Sequence, residues 1–270
     1  MTMRTNKKNK SSNIKMIRRV KHNLYNQNQG KLIVPNFFFF WHDMNSSGDN
    51  AGFEWWRRTM QYKTGIGLTP EEKTRYEDDS KARELKKECL KCYEYRDWML
   101  KYSPTVRFMV QAITKLNKGS DSKFDDSKII CDYCPDWKGG GFHPELGILL
   151  CQNRLRDKWH LEDTLSHELI HYFDDLKWQV DWLNLKHHAC SEIRASSLSG
   201  ECRFWEEFKR RGFRTGFHVA RGHQDCVRRR AIISVSGNPN CQSKEHAAKI
   251  VDEVWDSCFA DTRPFDEIYR

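Results

Sequence analysis

Two histidines and a glutamate in the stretch His167-Glu168-Leu169-Ile170-His171 have the spacing of a zinc hydrolase site. In an α-helix, residues four apart lie on one face, so both imidazoles can reach one cation while Glu168 lies beside them. This H-E-x-x-H pattern combines two metal ligands with a general base. A chain with 11 histidines can contain the pattern by chance, so the surrounding sequence must decide whether it forms a site.

The chemistry predicted for such a site is hydrolysis of an amide bond. Neutral imidazoles bind Zn²⁺ through nitrogen, and a catalytic site adds a third protein ligand and leaves one position for water. Zinc lowers the pKa of that water towards ~7, and Glu168 can take its proton and pass it to the leaving amine. The alternative is a helix that only buries two hydrogen-bonded histidines beside a glutamate.

Candidates for the third ligand follow the motif along the chain: Asp174, Asp181, His187, His188 and Glu192. The metzincin class needs a histidine six residues after His171, and Lys177 occupies that position, which excludes this class. Asp174 follows His171 by one turn and is better placed to orient a ligand than to bind the metal. We favour Glu192, with Asp181 and His187 as the alternatives.

Glu192 is favoured because it lies in a stretch of small residues, Ala189–Ser196, that predicts a second helix packed closely against the first. The comparison with glutamate zincins is incomplete, because Ser196 occupies the place where that class often has a supporting carboxylate. The sequence therefore does not specify which residues would hydrogen-bond to the metal ligands and orient them.

The elements that would hold these residues are predicted by apolar periodicity and helix caps. A helix-start signal, Glu162-Asp163-Thr164, precedes the motif, and the segment between Lys118 and Gly141 is rich in Asp, Ser and Gly and predicts a loop region. The patterns predict a strand over Gly147–Cys151 and helices over 70–101, Val106–Leu116, about Leu161–Leu176 and about Ser243–Phe259. The fold class is therefore α+β: a zincin-like metalloprotease domain, mostly helical with a small sheet, and containing disulfides.

The positive charge of the chain is concentrated at one end. Residues 1–42 contain nine Lys or Arg and no acidic residue, whereas the rest has 37 basic and 37 acidic residues. Because the remainder carries no net basic field, we expect no nucleic-acid binding. We predict that residues 1–50 form a basic, polar and disordered arm, with a mitochondrial targeting segment as the alternative, and that residues 51–270 form the protease domain.

Ten cysteines indicate either disulfide bonds or metal binding. Cys89-x-x-Cys92 and Cys131-x-x-Cys134 could form one zinc site, but the 38 residues between the pairs exceed the usual interval of ~15 to 20. We therefore favour disulfides, which require an oxidising compartment. A set of buried, reduced thiols is the remaining alternative.

Several longer motifs in the second half of the chain accompany the H-E-x-x-H pentapeptide. They are Val180-Asp181-Trp182, LKHHACSEIRASSLSG from Leu185 to Gly200, Cys226-Val227-Arg228-Arg229-Arg230-Ala231 and Asp261-Thr262-Arg263-Pro264-Phe265. Together with the H-E-x-x-H motif, they resemble the mitochondrial inner-membrane metalloproteases of the Atp-twenty-three type. The resemblance covers most of residues 80–270.

The resemblance implies a peripheral Zn²⁺ enzyme on the intermembrane-space side of the inner membrane. Such an enzyme processes the precursor of a mitochondrially encoded ATP synthase membrane subunit and assists F0 assembly. It implies that His167 and His171 are zinc ligands, that Glu168 is catalytic, and that the cysteines are oxidised in the intermembrane space. It does not settle the third ligand.

A second function class is an assembly chaperone in which proteolysis is secondary or unused. Its partners would be the same ATP synthase membrane subunit precursor and F0 assembly intermediates. A third class, a nucleic-acid-binding protein, depends only on the basic residues before position 43.

Overall fold

The computed structural model describes residues 48–117, 124–135, 138–203 and 219–267. The described residues divide into two compact units, one that ends at Tyr76 and one that begins at Glu77. None of the helices in the described residues combines the length and the apolar character that crossing a bilayer requires. The predicted arm before residue 48 lies outside the described residues, and a domain boundary at residue 50 stays a prediction.

The described residues form a mostly helical α+β fold, which confirms the predicted class. The helices are α1 (Gly48–Thr64), α2 (Pro70–Tyr102), α3 (Pro104–Leu116), α4 (Lys158–Trp178), α5 (Leu185–Leu198), α6 (Val219–Ser236) and α7 (Lys244–Phe259). The strands are β1 (Ile129–Asp132), β2 (Gly140–His143) and β3 (Gly147–Cys151). Short 3₁₀ turns, Asp126–Lys128 and Gln152–Arg154, precede β1 and follow β3.

The three strands form one sheet in the order β1-β3-β2. The apolar strand β3 is central, parallel to β1 and antiparallel to β2, with Leu149 opposite both Ile130 and Gly141. The prediction of a strand over Gly147–Cys151 is confirmed.

The prediction of a loop region between Lys118 and Gly141 is wrong for β1 and for the start of β2. β1 is only four residues long, too short to display a convincing alternation, and β2 begins with two glycines, which are depleted in strands. Their pairing with β3 determines their conformation.

Helix α4 carries the H-E-x-x-H motif and begins earlier than its sequence signal indicates. Asp157 is the N-cap, and its carboxylate accepts a hydrogen bond of 2.8 Å from the backbone N–H of His160. Glu162-Asp163-Thr164 therefore lies inside the helix and does not start it. The helix ends where Gln179 adopts a left-handed conformation with φ of 49°.

Two buried clusters hold the elements around α4 and α5. The first joins α4 to α3 and the sheet through residues such as Met109, Leu150 and Leu169. The second joins α5 to α6 and α7 through Ile193, Val227 and Val251. Helix α5 presents many small residues to its neighbours, as predicted, and this allows it to pack against α4.

Four disulfides cross-link the fold: Cys92–Cys131, Cys134–Cys151, Cys190–Cys258 and Cys202–Cys226. They confirm the disulfide interpretation and exclude a zinc site formed by Cys89, Cys92, Cys131 and Cys134, because the last three are oxidised in disulfides and cannot bind a metal as thiolates. Cys89 and Cys241 are free.

We expect the Cys190–Cys258 disulfide to contribute strongly to stability, because it connects α5 to α7 across 68 residues of sequence. Replacing both cysteines by serine should lower the free energy of unfolding by about 4 kcal/mol, the loop-closure value for that separation. Chemical denaturation measures this change. The matched control replaces the free pair Cys89 and Cys241 by serine, and an equal loss in both variants would contradict the prediction.

Candidate active site

Helix α4 brings His167 and His171 together at its centre. Their Nε2 atoms are 3.0 Å apart, and both side chains are largely buried. The ring planes are nearly perpendicular, at 78°. The four-residue spacing therefore produces the shared face that the helical period predicts.

Glu192 on α5 faces the two histidines across the α4–α5 contact. Its Oε2 lies 3.5 Å from His167 Nε2, and its Oε1 lies 3.4 Å from His171 Nε2. One donor atom from each of the three residues falls within 4.8 Å of the others, and among the described residues only these three form such a group. The structure thus brings together the three residues that the sequence favoured as ligands.

Asp181 and His187, the alternatives for the third ligand, lie elsewhere. Both are exposed in and after the turn that joins α4 to α5. The backbone N–H of Asp181 points to Nδ1 of His187 at 3.3 Å, and the Asp181 carboxylate accepts a hydrogen bond from the backbone N–H of Leu183. These two residues organise the turn and do not join the histidine pair.

The carboxylate of Glu192 is oriented by two side chains. Ser234 on α6 donates a hydrogen bond of 2.6 Å to Oε1 of Glu192. His188 accepts a hydrogen bond from Asn238 at Nδ1, at 2.9 Å, and therefore directs its Nε2 towards Oε1 of Glu192, at 3.4 Å. His188, also a candidate ligand by sequence, thus contacts the site through Glu192.

Each motif histidine has an oxygen partner at its Nδ1 atom. His167 Nδ1 lies 3.2 Å from Oε1 of Glu201, and His171 Nδ1 lies 2.8 Å from Oγ of Ser191. Because Ser191 donates its own hydroxyl proton to Asp174, it accepts from His171. In the neutral form that binds a metal, the rings therefore carry their proton on Nδ1 and direct the Nε2 lone pairs into the cluster.

Glu201 is the supporting carboxylate that the sequence reasoning did not find. It lies in a turn after α5, five residues beyond Ser196, so no helical period connects it to the motif. Burial alone would raise the pKa of Glu201, but His167 and Arg230 lower it to about 2. It pairs with the Arg230 guanidinium on α6, and it therefore stays ionised.

Glu168 is buried between the histidine pair and strand β2. Burial raises its pKa above the usual range, although both nearby imidazoles oppose the shift. A Cβ atom at Gly140 would lie 3.3 Å from Oε1 of Glu168 and 2.8 Å from the Leu149 carbonyl oxygen. Glycine at this position leaves room for the carboxylate against the edge strand.

Aromatic side chains surround one side of the cluster. The Trp182 ring lies edge-on to His171, with centroids 5.5 Å apart, and it also contacts Phe142 of β2 at 5.8 Å. A hydrogen bond of 2.8 Å from the Trp182 indole N–H to Asp175 fixes the ring. This side of the site is therefore apolar.

The donor set fits a divalent cation such as zinc. Two imidazole nitrogens and one carboxylate are common zinc ligands, and two nitrogens that share a tetrahedral ion at 2.0–2.1 Å would be about 3.3 Å apart, close to the separation observed. Burial alone would lower the pKa of His167, but Glu201 and Glu192 raise it well above its usual range. The environment therefore stabilises positive charge where the ion would be held.

Comparison with known proteins agrees with this arrangement. The profile of the peptidase M76 family matches residues 90–266. The mitochondrial inner membrane protease ATP23 of Saccharomyces cerevisiae (strain Lalvin EC1118) is 99% identical over 227 residues, which cover 84% of this chain and 100% of the relative. The protein of that name from Kluyveromyces lactis is 75% identical, over 82% of this chain and 91% of the relative.

A more distant relative, the mitochondrial inner membrane protease ATP23 of Candida albicans, is 55% identical over 84% of this chain and 94% of its own length. No solved structure matches the chain. The chain therefore belongs to the peptidase M76 family and is a protease of the mitochondrial inner membrane.

Proposed function

We propose that the protein is a zinc-dependent endopeptidase in which His167, His171 and Glu192 hold Zn²⁺ and Glu168 is the general base. The observation that carries this proposal is the convergence of three donor atoms within 4.8 Å, two of them on buried residues and one on the half-buried His167, beside the buried Glu168, which can accept a proton. Bound there, Zn²⁺ would act as a Lewis acid and lower the pKa of a water molecule.

The protein's own residues prepare the site for this chemistry. Glu201 and Ser191 hold the two rings so that each Nε2 lone pair points to one place. Ser234 and His188 fix the Glu192 carboxylate from the opposite side. Mutation of residues that orient metal ligands in this way typically lowers metal affinity or activity about 10- to 100-fold.

Glu168 has the position that proton transfer requires. Its carboxylate is buried close enough to both imidazoles for direct electrostatic interaction, and it lies against Gly140 of β2. From there it can accept a proton from the attacking water and return it to the leaving amine.

Strand β2 forms one edge of the sheet and begins beside Glu168. An extended substrate segment can add to such an edge through backbone hydrogen bonds, which places a peptide bond next to the carboxylate. This mode of binding recognises an extended segment largely through its backbone.

The substrate in this proposal is the precursor of an ATP synthase membrane subunit, cleaved on the intermembrane-space side by a peripheral enzyme. The resemblance of the motifs supports the substrate and its compartment, and the four disulfides suit an oxidising space. Assistance in F0 assembly belongs to the same proposal and has the same support.

Zinc analysis of a Glu192→Ala variant tests the ligand set. Loss of an outer partner already weakens metal binding about 10- to 100-fold, so removal of a ligand oxygen should weaken it by more than that. The measurement is zinc content and zinc affinity of the purified full chain, with peptide cleavage recorded in parallel.

Asp181→Ala is the matched control, because Asp181 was the rival carboxylate and lies exposed in the turn before α5. We expect this variant to keep full zinc occupancy and nearly full activity. Full occupancy and activity in the Glu192 variant, or zinc loss in the Asp181 variant, would overturn the assignment.

A further inference from the structure

Helix α1 has an exposed apolar face. Phe53, Trp56 and Met60 follow one another at intervals of three and four residues, so they lie on one side of the helix. Their exposed fractions are 59%, 57% and 44%, and the Phe53 and Trp56 rings stack with centroids 5.7 Å apart. We call these three residues the α1 apolar face.

The opposite side of α1 has a different role, because it packs within its own compact unit. Trp55 and Tyr62 stack on Tyr76 with centroid distances of 4.9 and 4.6 Å, and Thr59 accepts a hydrogen bond from the Tyr76 hydroxyl. The helix is therefore already secured by this side. The α1 apolar face adds nothing to that packing, although exposure of three large side chains side by side is unfavourable in water.

Basic side chains flank the α1 apolar face. Arg57 lies next to Phe53 on the helical projection, and Lys63 lies next to Trp56, which places a cation on each side of the apolar stripe. Arg57 pairs with Glu54 at 2.6 Å, but both side chains are more than half exposed, and a surface pair of this kind is easily exchanged. The preceding residues, 1–42, add nine basic residues and no acidic residue.

We propose that the α1 apolar face is a membrane-docking surface that binds the anionic phospholipid surface of the inner membrane. Phe53, Trp56 and Met60 would enter the boundary between headgroups and acyl chains, while Arg57 and Lys63 meet the lipid phosphates. An aromatic and apolar stripe with flanking Arg and Lys is the composition of a helix that lies in the membrane interface. The inference builds on the inner-membrane location and is independent of the zinc chemistry.

Charge and composition favour a bilayer over a protein partner. Residues 53–64 contain three basic residues and one acidic residue, so the surface complements an anionic layer. A stripe of only three apolar side chains offers a small area for a specific protein contact, whereas a bilayer adds electrostatic attraction from many headgroups.

Vesicle flotation with the full-length protein tests this proposal. The probes are phosphatidylcholine vesicles with and without about one-fifth cardiolipin, an anionic inner-membrane lipid. We expect the wild type to float with the anionic vesicles and much less with the neutral ones. The triple variant F53S/W56S/M60S should bind the anionic vesicles about tenfold more weakly or worse, since it loses most of the apolar insertion.

A matched control removes three exposed apolar residues from the other unit, in the variant L90S/L116S/W159S. It should float like the wild type, and circular dichroism should give equal helicity for all three proteins. Cleavage of a soluble peptide should be unchanged in F53S/W56S/M60S, so a failure of the zinc assignment is distinguishable from a failure of membrane docking.

Three results would overturn the proposal: no flotation of the wild type with anionic vesicles, equal flotation of F53S/W56S/M60S, or equal losses in both triple variants. If the wild type formed oligomers in the absence of lipid and F53S/W56S/M60S did not, the α1 apolar face would be a contact between copies of the chain. If F53S/W56S/M60S lost helicity, amide exchange of wild type would decide, because docking requires slower exchange in residues 53–64 on anionic vesicles.

Discussion

Replacement of Glu168 by glutamine should abolish peptide cleavage while zinc binding is retained. Glutamine preserves the size of the side chain in the narrow space against Gly140, but its amide cannot accept the proton of water. General-base groups contribute about 10²- to 10⁴-fold, and we expect a loss of kcat in that range with zinc content unchanged. Single-turnover cleavage of a substrate peptide and metal analysis of the same preparation measure both quantities.

Glu145→Gln is the control for this experiment, because Glu145 is an exposed glutamate in the β2–β3 turn. It should keep wild-type kcat and zinc content. If Glu168→Gln kept most of its cleavage activity, the assignment of the general base would be wrong. If it lost zinc, the variant would report on the metal site and not on proton transfer.

The same variant separates the proposed protease from the alternative of an assembly chaperone. In cells that carry only Glu168→Gln, loss of precursor cleavage with normal F0 assembly would indicate that assembly does not need proteolysis. Failure of both would contradict an independent chaperone role. Zinc retention ensures that the folded site is present in either case.

The parts of the site that sequence could predict are the parts controlled by local periodicity. His167, Glu168 and His171 need only the helical repeat to become neighbours, and the four-residue spacing determines this whatever the rest of the fold does. Glu192 was favoured because small residues around it predict close packing of a second helix, and α5 packs on α4 in that way.

Glu201 could not be predicted because a turn places it. Its carboxylate reaches His167 only after the chain reverses at Ser199–Gly200, where Gly200 has φ of 97°. No pattern in the sequence specifies the distance that such a turn covers. Strands β1 and β2 were not predicted for a related reason, because their conformation depends on pairing with β3 and not on their own residues.

For the cysteines, the sequence predicted that disulfides form but not which cysteines pair. An even number of cysteines and the long interval between the two C-x-x-C pairs predicted disulfides. The actual partners, such as Cys92 with Cys131, are 39 residues apart and meet only because α2 and the sheet pack together. The spacing of cysteines along the chain cannot predict which of them this packing brings together.

The Asp261-Thr262-Arg263-Pro264-Phe265 segment is distant from the candidate metal site in sequence but connected to it through Arg194. The guanidinium of Arg194 is almost fully buried, pairs with Asp174 at 3.1 Å and donates to the backbone carbonyl oxygen of Asp261 at 2.6 Å. Asp174 accepts a hydrogen bond of 3.0 Å from Ser191, which accepts from His171. A continuous polar chain thus joins the C-terminal segment to a proposed zinc ligand.

Replacement of Arg194 by methionine should therefore destabilise the protein strongly. Methionine fills much of the space but leaves Asp174 buried without a charge partner, which costs about 3 to 5 kcal/mol. Chemical denaturation measures the loss. Zinc affinity should also fall about 10- to 100-fold, because Asp174 no longer fixes Ser191 and the His171 ring.

Arg228→Met is the matched control, because Arg228 pairs with Asp252 on the surface, where both side chains are nearly half exposed. Its loss should cost less than about 1 kcal/mol and leave zinc affinity unchanged. Equal losses of stability and of zinc affinity in the two variants would contradict the role assigned to the buried Arg194–Asp174 pair. The double variant Asp174→Asn/Arg194→Met removes both buried charges and should recover a large part of the stability.

The pH dependence of Arg194→Met distinguishes an unpaired Asp174 from simple loss of packing. Burial raises the pKa of Asp174, and Arg194 opposes that effect, so removal of Arg194 raises this pKa further. The folded variant then holds a proton more tightly than the unfolded chain does, and its stability falls as pH rises from the unfolded pKa, about 3.9, to the raised folded pKa. The deficit relative to wild type should therefore shrink when the pH is lowered from about 7 towards 5. A deficit that stays constant over this range would indicate that lost packing, and not the buried carboxylate, destabilises the variant.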